Sequence, residues 1–171
     1  MKFEERPLTR HELSDMKSDN HYGYKLLELK SRDTTPATIV KHLDAVVREL
    51  QNDYKKGTRK PDGNESVEIA LGLGAVWGNQ IVREFEWEWV CLKVDDQDYC
   101  VVTSPDRSLF IAPAPFVKQC FDYPATVCTI FYVFELIEAN ALAGLAEGTF
   151  ANVMASVRPP APAAPEAVNS Q

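Results

Sequence analysis

The stretch Val67-Glu-Ile-Ala-Leu-Gly-Leu-Gly-Ala-Val-Trp-Gly-Asn79 constrains the fold more than any other. Its apolar side chains demand burial, and its glycines leave two ways to bury them. Either residues 67–71 form a strand that enters a Gly-rich phosphate loop, or the whole stretch is one helix with close neighbours. Gly72, Gly74 and Gly78 give G-x-G-x-x-x-G, near a dinucleotide fingerprint, with Asp95 about where a ribose partner belongs. Three features oppose that reading. The strand that follows returns at once through residues 95–98 and makes an antiparallel neighbour, whereas a parallel one needs a crossover of about a dozen residues. Glu68 interrupts a strand that would be buried on both faces. Too little chain remains for further βαβ units. The single helix is preferred. Val67, Ala70, Leu71, Gly74, Trp77, Gly78, Ile81 and Phe85 share one face. Asn64 or Ser66 caps it, and Glu65 and Glu68 occupy its positive first turn. Each internal glycine costs about 1 kcal/mol of helix propensity. Ala70, Gly74 and Gly78, four residues apart, therefore mark where another element approaches the backbone.

The rest of the chain organises around this helix. Residues 1–33 show weak periodicity, with Tyr22 to Lys30 a short helix or strand. Thr34-Thr35-Pro36 opens a second helix, capped by Thr with Pro in the first turn, whose stripe is Ile39, Leu43, Val46, Val47 and Leu50. Gly57 and the segment 60–64 end it. Glu86 to Val94 and Tyr99 to Ser104 flank a short acidic turn and predict an antiparallel hairpin over 87–104. Leu109–Ala112 is a third strand and Ala114–Cys120 a short helix. Residues 126–139 combine β-branched and aromatic content with helical length, and length favours a helix. A last short helix is expected over 149–157. Residues 158–171, rich in Pro and Ala, predict a disordered tail. The fold class is thus α+β, one domain over 34–157 built on a short antiparallel sheet packed by helices.

Composition excludes several functions. The 171 residues carry a net charge of −7. Residues 65–157 hold four bases against thirteen acids, so the body is acidic and lacks the clustered Lys and Arg that phosphate contacts require. Lys55, Lys56, Arg59 and Lys60 form the one basic cluster, on a loop. No apolar run reaches membrane-spanning length and the N-terminus has no signal-peptide pattern, so neither nucleic acid nor membrane is an expected partner and the expected location is cytoplasmic. Cys91, Cys100, Cys120 and Cys128 contain no C-x-x-C pair and are read as buried free thiols, with no metal site.

No catalytic constellation is apparent. His11, His21 and His42 all precede the cysteines, so only the fold can assemble a Cys–His pair, which defines the enzyme or small-ligand alternative. A calcium loop starting at Asp95 requires Gly where Cys100 stands and Glu where Asp106 stands. No cofactor is implied. The hairpin is more informative. A turn centred on Asp96-Gln97 pairs Val94 with Tyr99 and Cys91 with Val102. It puts Glu88, Val90, Leu92, Val94, Tyr99, Val101 and Thr103 on one face and Trp87, Trp89, Cys91, Lys93, Cys100 and Val102 on the other. Cys91 and Cys100 are then diagonal neighbours at about 7 Å, marginal for a disulfide. Both faces are largely apolar. The preferred arrangement covers them with the helices of 66–85 and 126–139; the alternative leaves Trp87, Trp89 and Lys93 as a partner surface.

The segments Leu73-Gly-Ala-Val-Trp-Gly-Asn-Gln-Ile-Val82 and Phe85-Glu-Trp-Glu-Trp-Val90, with Pro105-Asp-Arg-Ser108, Pro113-Ala-Pro-Phe116 and residues 129–137, resemble a widespread group of uncharacterised bacterial proteins. The likeness spans about residues 34–157. It implies an α+β domain with helices at 66–85 and 126–139, and no established reaction. By analogy it implies a toxin-neutralising or adaptor-like role. With no catalytic constellation, an acidic body and an aromatic hairpin, the expected function is non-enzymatic protein binding.

Overall fold

The computed structural model describes residues 3–30, 34–59, 62–94 and 96–158. Strand β1 (Glu4–Arg6) and helix α1 (Arg10–Leu26) precede α2 (Pro36–Lys56) and α3 (Gly63–Phe85). Strands β2 (Glu88–Val94), β3 (Gln97–Thr103) and β4 (Leu109–Ile111) follow, then α4 (Pro113–Asp122), α5 (Ile130–Glu138), β5 (Ala151–Asn152) and α6 (Val153–Ser156). The fold is α+β. The five strands lie in the order β1-β2-β3-β4-β5, antiparallel except for the β4–β5 pair.

The glycine stretch is helical, which removes the phosphate-loop reading. Asp62 caps α3 by accepting from the Glu65 amide at 2.6 Å, in place of the expected Asn64 or Ser66; Ser66 instead lies inside the first turn, its hydroxyl donating to the Gly63 carbonyl. Each glycine admits a different neighbour. A Cβ on Gly72 would stand 2.9 Å from the Tyr22 ring and 3.1 Å from the Gly23 amide nitrogen of α1. One on Gly74 would stand 2.6 Å from the backbone of Ala114 in α4, and one on Gly78 would enter the indole of Trp89. Helix α3 is thus the hub, its Ile69, Leu73, Val76, Trp77 and Ile81 buried at the centre of the main core. Helix α2 begins and ends as its residues require, with Thr35 accepting from the Thr38 amide and Gly57 at φ 70° closing it.

The N-terminal segment is more ordered than its periodicity implies. Thr9 and Glu12 form a reciprocal capping box that starts α1, a mostly polar helix of 17 residues. Helix α5 begins at Ile130 rather than near Thr126, and its first turn is capped from another helix: Asp44 of α2 accepts from the Phe131 amide at 3.1 Å. The 149–157 segment splits into β5 and α6. Beyond Arg158 the expected tail lies outside the described residues, as do Lys60 and Asp95.

The hairpin register differs from expectation by two residues. Val94 pairs with Gln97 and Cys91 with Cys100, so the two cysteines are directly opposed. A two-residue slip preserves the alternation, and both faces keep the expected side chains. Their covers are not both as expected. Helix α3 covers the Trp87/Trp89 face. The opposite face buries Val90, Leu92, Val101 and Phe110 under Phe3 and Phe150, whereas α5 packs on α2 and α3.

Candidate functional site

Packing decides first where the Trp87/Trp89 surface goes. Trp87 is 6% exposed and belongs to the main core. Trp89 is half-buried, its ring against Gly78, and its Nε1 donates to Asn79 Oδ1 at 2.9 Å. These side chains serve the core, and α3 covers their face as the preferred arrangement has it, so the alternative of an open partner surface there does not form. Lys93 stands apart near the hairpin tip, opposite Asp98 and paired with Asp96 at 3.3 Å.

A different site forms where the inner edge of Trp89 reaches the surface. A cleft of about 250 Å³ lies between α1, α3, the β2–β3 hairpin and the start of α4. Met16, Leu71, Gly74, Ala75, Trp89 and Ala114 make its apolar lining, with Cys100 beside them. Glu12, Asp15 and Asp19 of α1 make its acidic rim. The helical spacing of these acids, three and four residues apart, puts them on one side of α1. Leu71, 41% exposed, continues the apolar lining outward.

Polar contacts fix α1 in place. Asn79 Nδ2 donates to Asn20 Oδ1 at 2.9 Å, extending the Trp89–Asn79 bond into a relay across β2, α3 and α1. Arg6 grips Glu12 with two hydrogen bonds, at 2.9 and 2.8 Å, and reaches Asp98 at 2.8 Å. The Arg6 guanidinium, helped by the Thr9 amide, holds the Glu12 carboxyl down at about 2. Glu12 is therefore already neutralised.

The other two acids are not. Asp15 makes only a surface pair with His11, at 3.2 Å. Burial, then the nearby Asp15 charge, raises the Asp19 carboxyl above its ordinary value, and no cation beside it among the described residues offsets this. A site with an apolar lining and an uncompensated anion is suited to an aliphatic stem that ends in a positive charge.

No family model, curated protein or solved structure matches the chain. The resemblance of residues 34–157 to uncharacterised bacterial proteins therefore rests on its motifs alone.

The histidines and cysteines do not assemble. His42 Nε2 donates to the Leu27 carbonyl at 3.0 Å, His11 meets Asp15, and His21 is exposed. Cys120 and Cys128 are buried together as free thiols; a hydrogen bond between them and burial push the Cys128 thiol up, and it donates to Asp44 Oδ1 at 3.5 Å. Among the described residues, no three His, Cys, Asp or Glu side chains could hold a metal ion, and no helix is long and apolar enough to cross a membrane.

Sequence reasoning missed Glu12, Asp15, Met16 and Asp19 because it found no helix over 10–26. The signal was present: Thr9-x-x-Glu12 is a capping box, and Met16, Gly23 and Leu27 follow at near-helical intervals.

Proposed function

We propose that the chain is a non-enzymatic, adaptor-like or neutralising protein-binding module whose α1–α3 groove receives a basic segment of a partner protein. The observation that carries this reading is Asp19, an anion held against apolar surface without a cation. A Lys or Arg side chain lays its methylenes along Met16, Leu71 and Trp89 and presents its charge to Asp15 and Asp19. An exposed ion pair contributes about 0.2–1 kcal/mol, so the groove selects by combining two such pairs with apolar burial. The acidic body steers basic partners toward it.

The test is isothermal titration with a short peptide alternating leucine and arginine, beside a leucine–glutamate control. Binding of the first alone, weakened by salt and about fivefold by Asp19→Asn, supports the reading. Equal binding of both peptides, or of neither, overturns it. Displacement by free arginine as effective as by the peptide itself would favour a small cationic ligand.

A further inference from the structure

Of the four cysteines, Cys100 alone is exposed, and it lines the groove. Its direct partner across the hairpin is Cys91, only 1% exposed. The register pairs Val94 with Gln97, and a hairpin of that register closes on a hydrogen-bonded pair. Pairs alternate along an antiparallel ladder, so Lys93–Asp98 is non-hydrogen-bonded, Leu92–Tyr99 hydrogen-bonded, and Cys91–Cys100 non-hydrogen-bonded again. Such pairs hold their Cα atoms about 4.5 Å apart, inside the range of about 4.4–6.8 Å that a disulfide spans. Both side chains point to the same face. A disulfide between them keeps the strand register.

We propose that Cys100 is a redox-modification site in the groove and that Cys91 is its resolving thiol. The Cys100 thiolate attacks a low-molecular-weight disulfide such as oxidised glutathione. One sulfur–sulfur bond breaks, a mixed disulfide forms on Cys100, and one glutathione leaves as the thiolate and takes a proton. The Cys91 thiolate then attacks the Cys100 sulfur and expels the second glutathione. The protein loses two electrons and two protons; the small disulfide gains both and becomes two thiols.

The surroundings assign the roles. Cys91 lies under Arg6, Glu12 and Asp98, and burial pushes its thiol up to about 11. Burial raises the Cys100 thiol as well, so exposure rather than acidity makes Cys100 the first to react, and Cys91 acts once a sulfur carrying a leaving group stands opposite, where proximity replaces reactivity. Cys120 and Cys128 are buried away from the groove and stay reduced. A glutathione on Cys100 occupies the cleft, so its removal by Cys91 restores access. Only this last consequence rests on the proposed function; the disulfide stands on strand register.

The experiment treats the full chain with oxidised glutathione, blocks remaining thiols with iodoacetamide under denaturing conditions, and maps the peptides by mass spectrometry. The expected product has Cys91 joined to Cys100, Cys120 and Cys128 alkylated, and no adduct. Cys91→Ser stops at one glutathione on Cys100, released by dithiothreitol. A wild-type product with glutathione on Cys100 and alkylated Cys91 overturns the proposal, as does a disulfide that includes Cys120 or Cys128. The wild-type map decides even if the variant does not fold. Peptide titration of the fully reduced protein tests the groove separately, so failure there leaves the disulfide result intact.

Discussion

Gly74→Ala tests whether the α3 glycines exist for close approach. The added Cβ would stand 2.6 Å from the Cα and from the N of Ala114, well inside the 3.4 Å at which ordinary contact begins. The obstacle is backbone in the first turn of α4, so no rotamer change relieves it; α4 must shift as a body and carry buried Phe116, Val117 and Cys120 with it. Overpacking of this kind costs about 1–3 kcal/mol. Helix propensity returns about 1 kcal/mol, leaving a net loss of about 0–2 kcal/mol. Gly63→Ala is the control. It lies in the first turn of the same helix with nothing within 4 Å of its Cβ position, and it should be neutral or stabilising by up to about 1 kcal/mol. Urea unfolding followed by circular dichroism reads both. The two variants should differ by about 1–3 kcal/mol, with Tm values separated by about 2–4 °C per kcal/mol. If Gly74→Ala matches Gly63→Ala, the glycines merely weaken the helix, and the packing account of α3 is wrong.

Asp19→Asn should raise stability at neutral pH. The folded carboxyl is raised, so wild type holds extra protons near the carboxylate range and loses stability as pH rises through it; the advantage of the variant should vanish below about pH 4. Glu12 has the opposite sign. Its carboxyl is held at about 2, so its contribution is full above the ordinary value of about 4.3 and is lost as pH falls toward 2; wild type should lose its lead over Glu12→Gln across that interval, read by Tm at each pH. Asp44→Ala strips the Phe131 amide, Arg48 and Cys128 of their shared acceptor, and should cost about 1–3 kcal/mol in urea unfolding.

The legible parts of the fold are those decided by local chemistry. Thr35-Pro36 and Gly57 mark both ends of α2, and the tight antiparallel return of the next strand, Glu68 and helical periodicity together separate helix from phosphate loop at Gly72–Gly78. Strand faces were legible because alternation survives a slip of two; the register itself was not, because nothing local in the acidic stretch between the strands fixes where the chain reverses. Helix α5 shows the limit clearly: its N-terminus is capped by Asp44, a long way off in sequence, so no reading of residues 126–131 could place its start. The groove was illegible for the same reason. Its acids come from α1 and its lining from α3, β2, β3 and α4.

Helix α1 ties stability to function. It is too polar to bury a broad face of its own, and it is held by the backbone approach of Gly23 to Gly72, the Asn20–Asn79–Trp89 relay and the Arg6 clasp on Glu12. Those attachments compel Asp15 and Asp19 to share one rim, where burial and then the Asp15 charge disfavour ionisation of Asp19. A helix optimised for stability alone would carry a neutral side chain at 19, or a base to answer it. Uncompensated charge at a rigid, apolar-lined site is instead the pattern expected where activity is held at the expense of stability, and an incoming cation is what would relieve it. A polar helix docked this tightly is the energetic basis of the basic partner proposed above, and the direction in which Asp19→Asn should move stability and binding, one up and the other down, is the signature of that proposal.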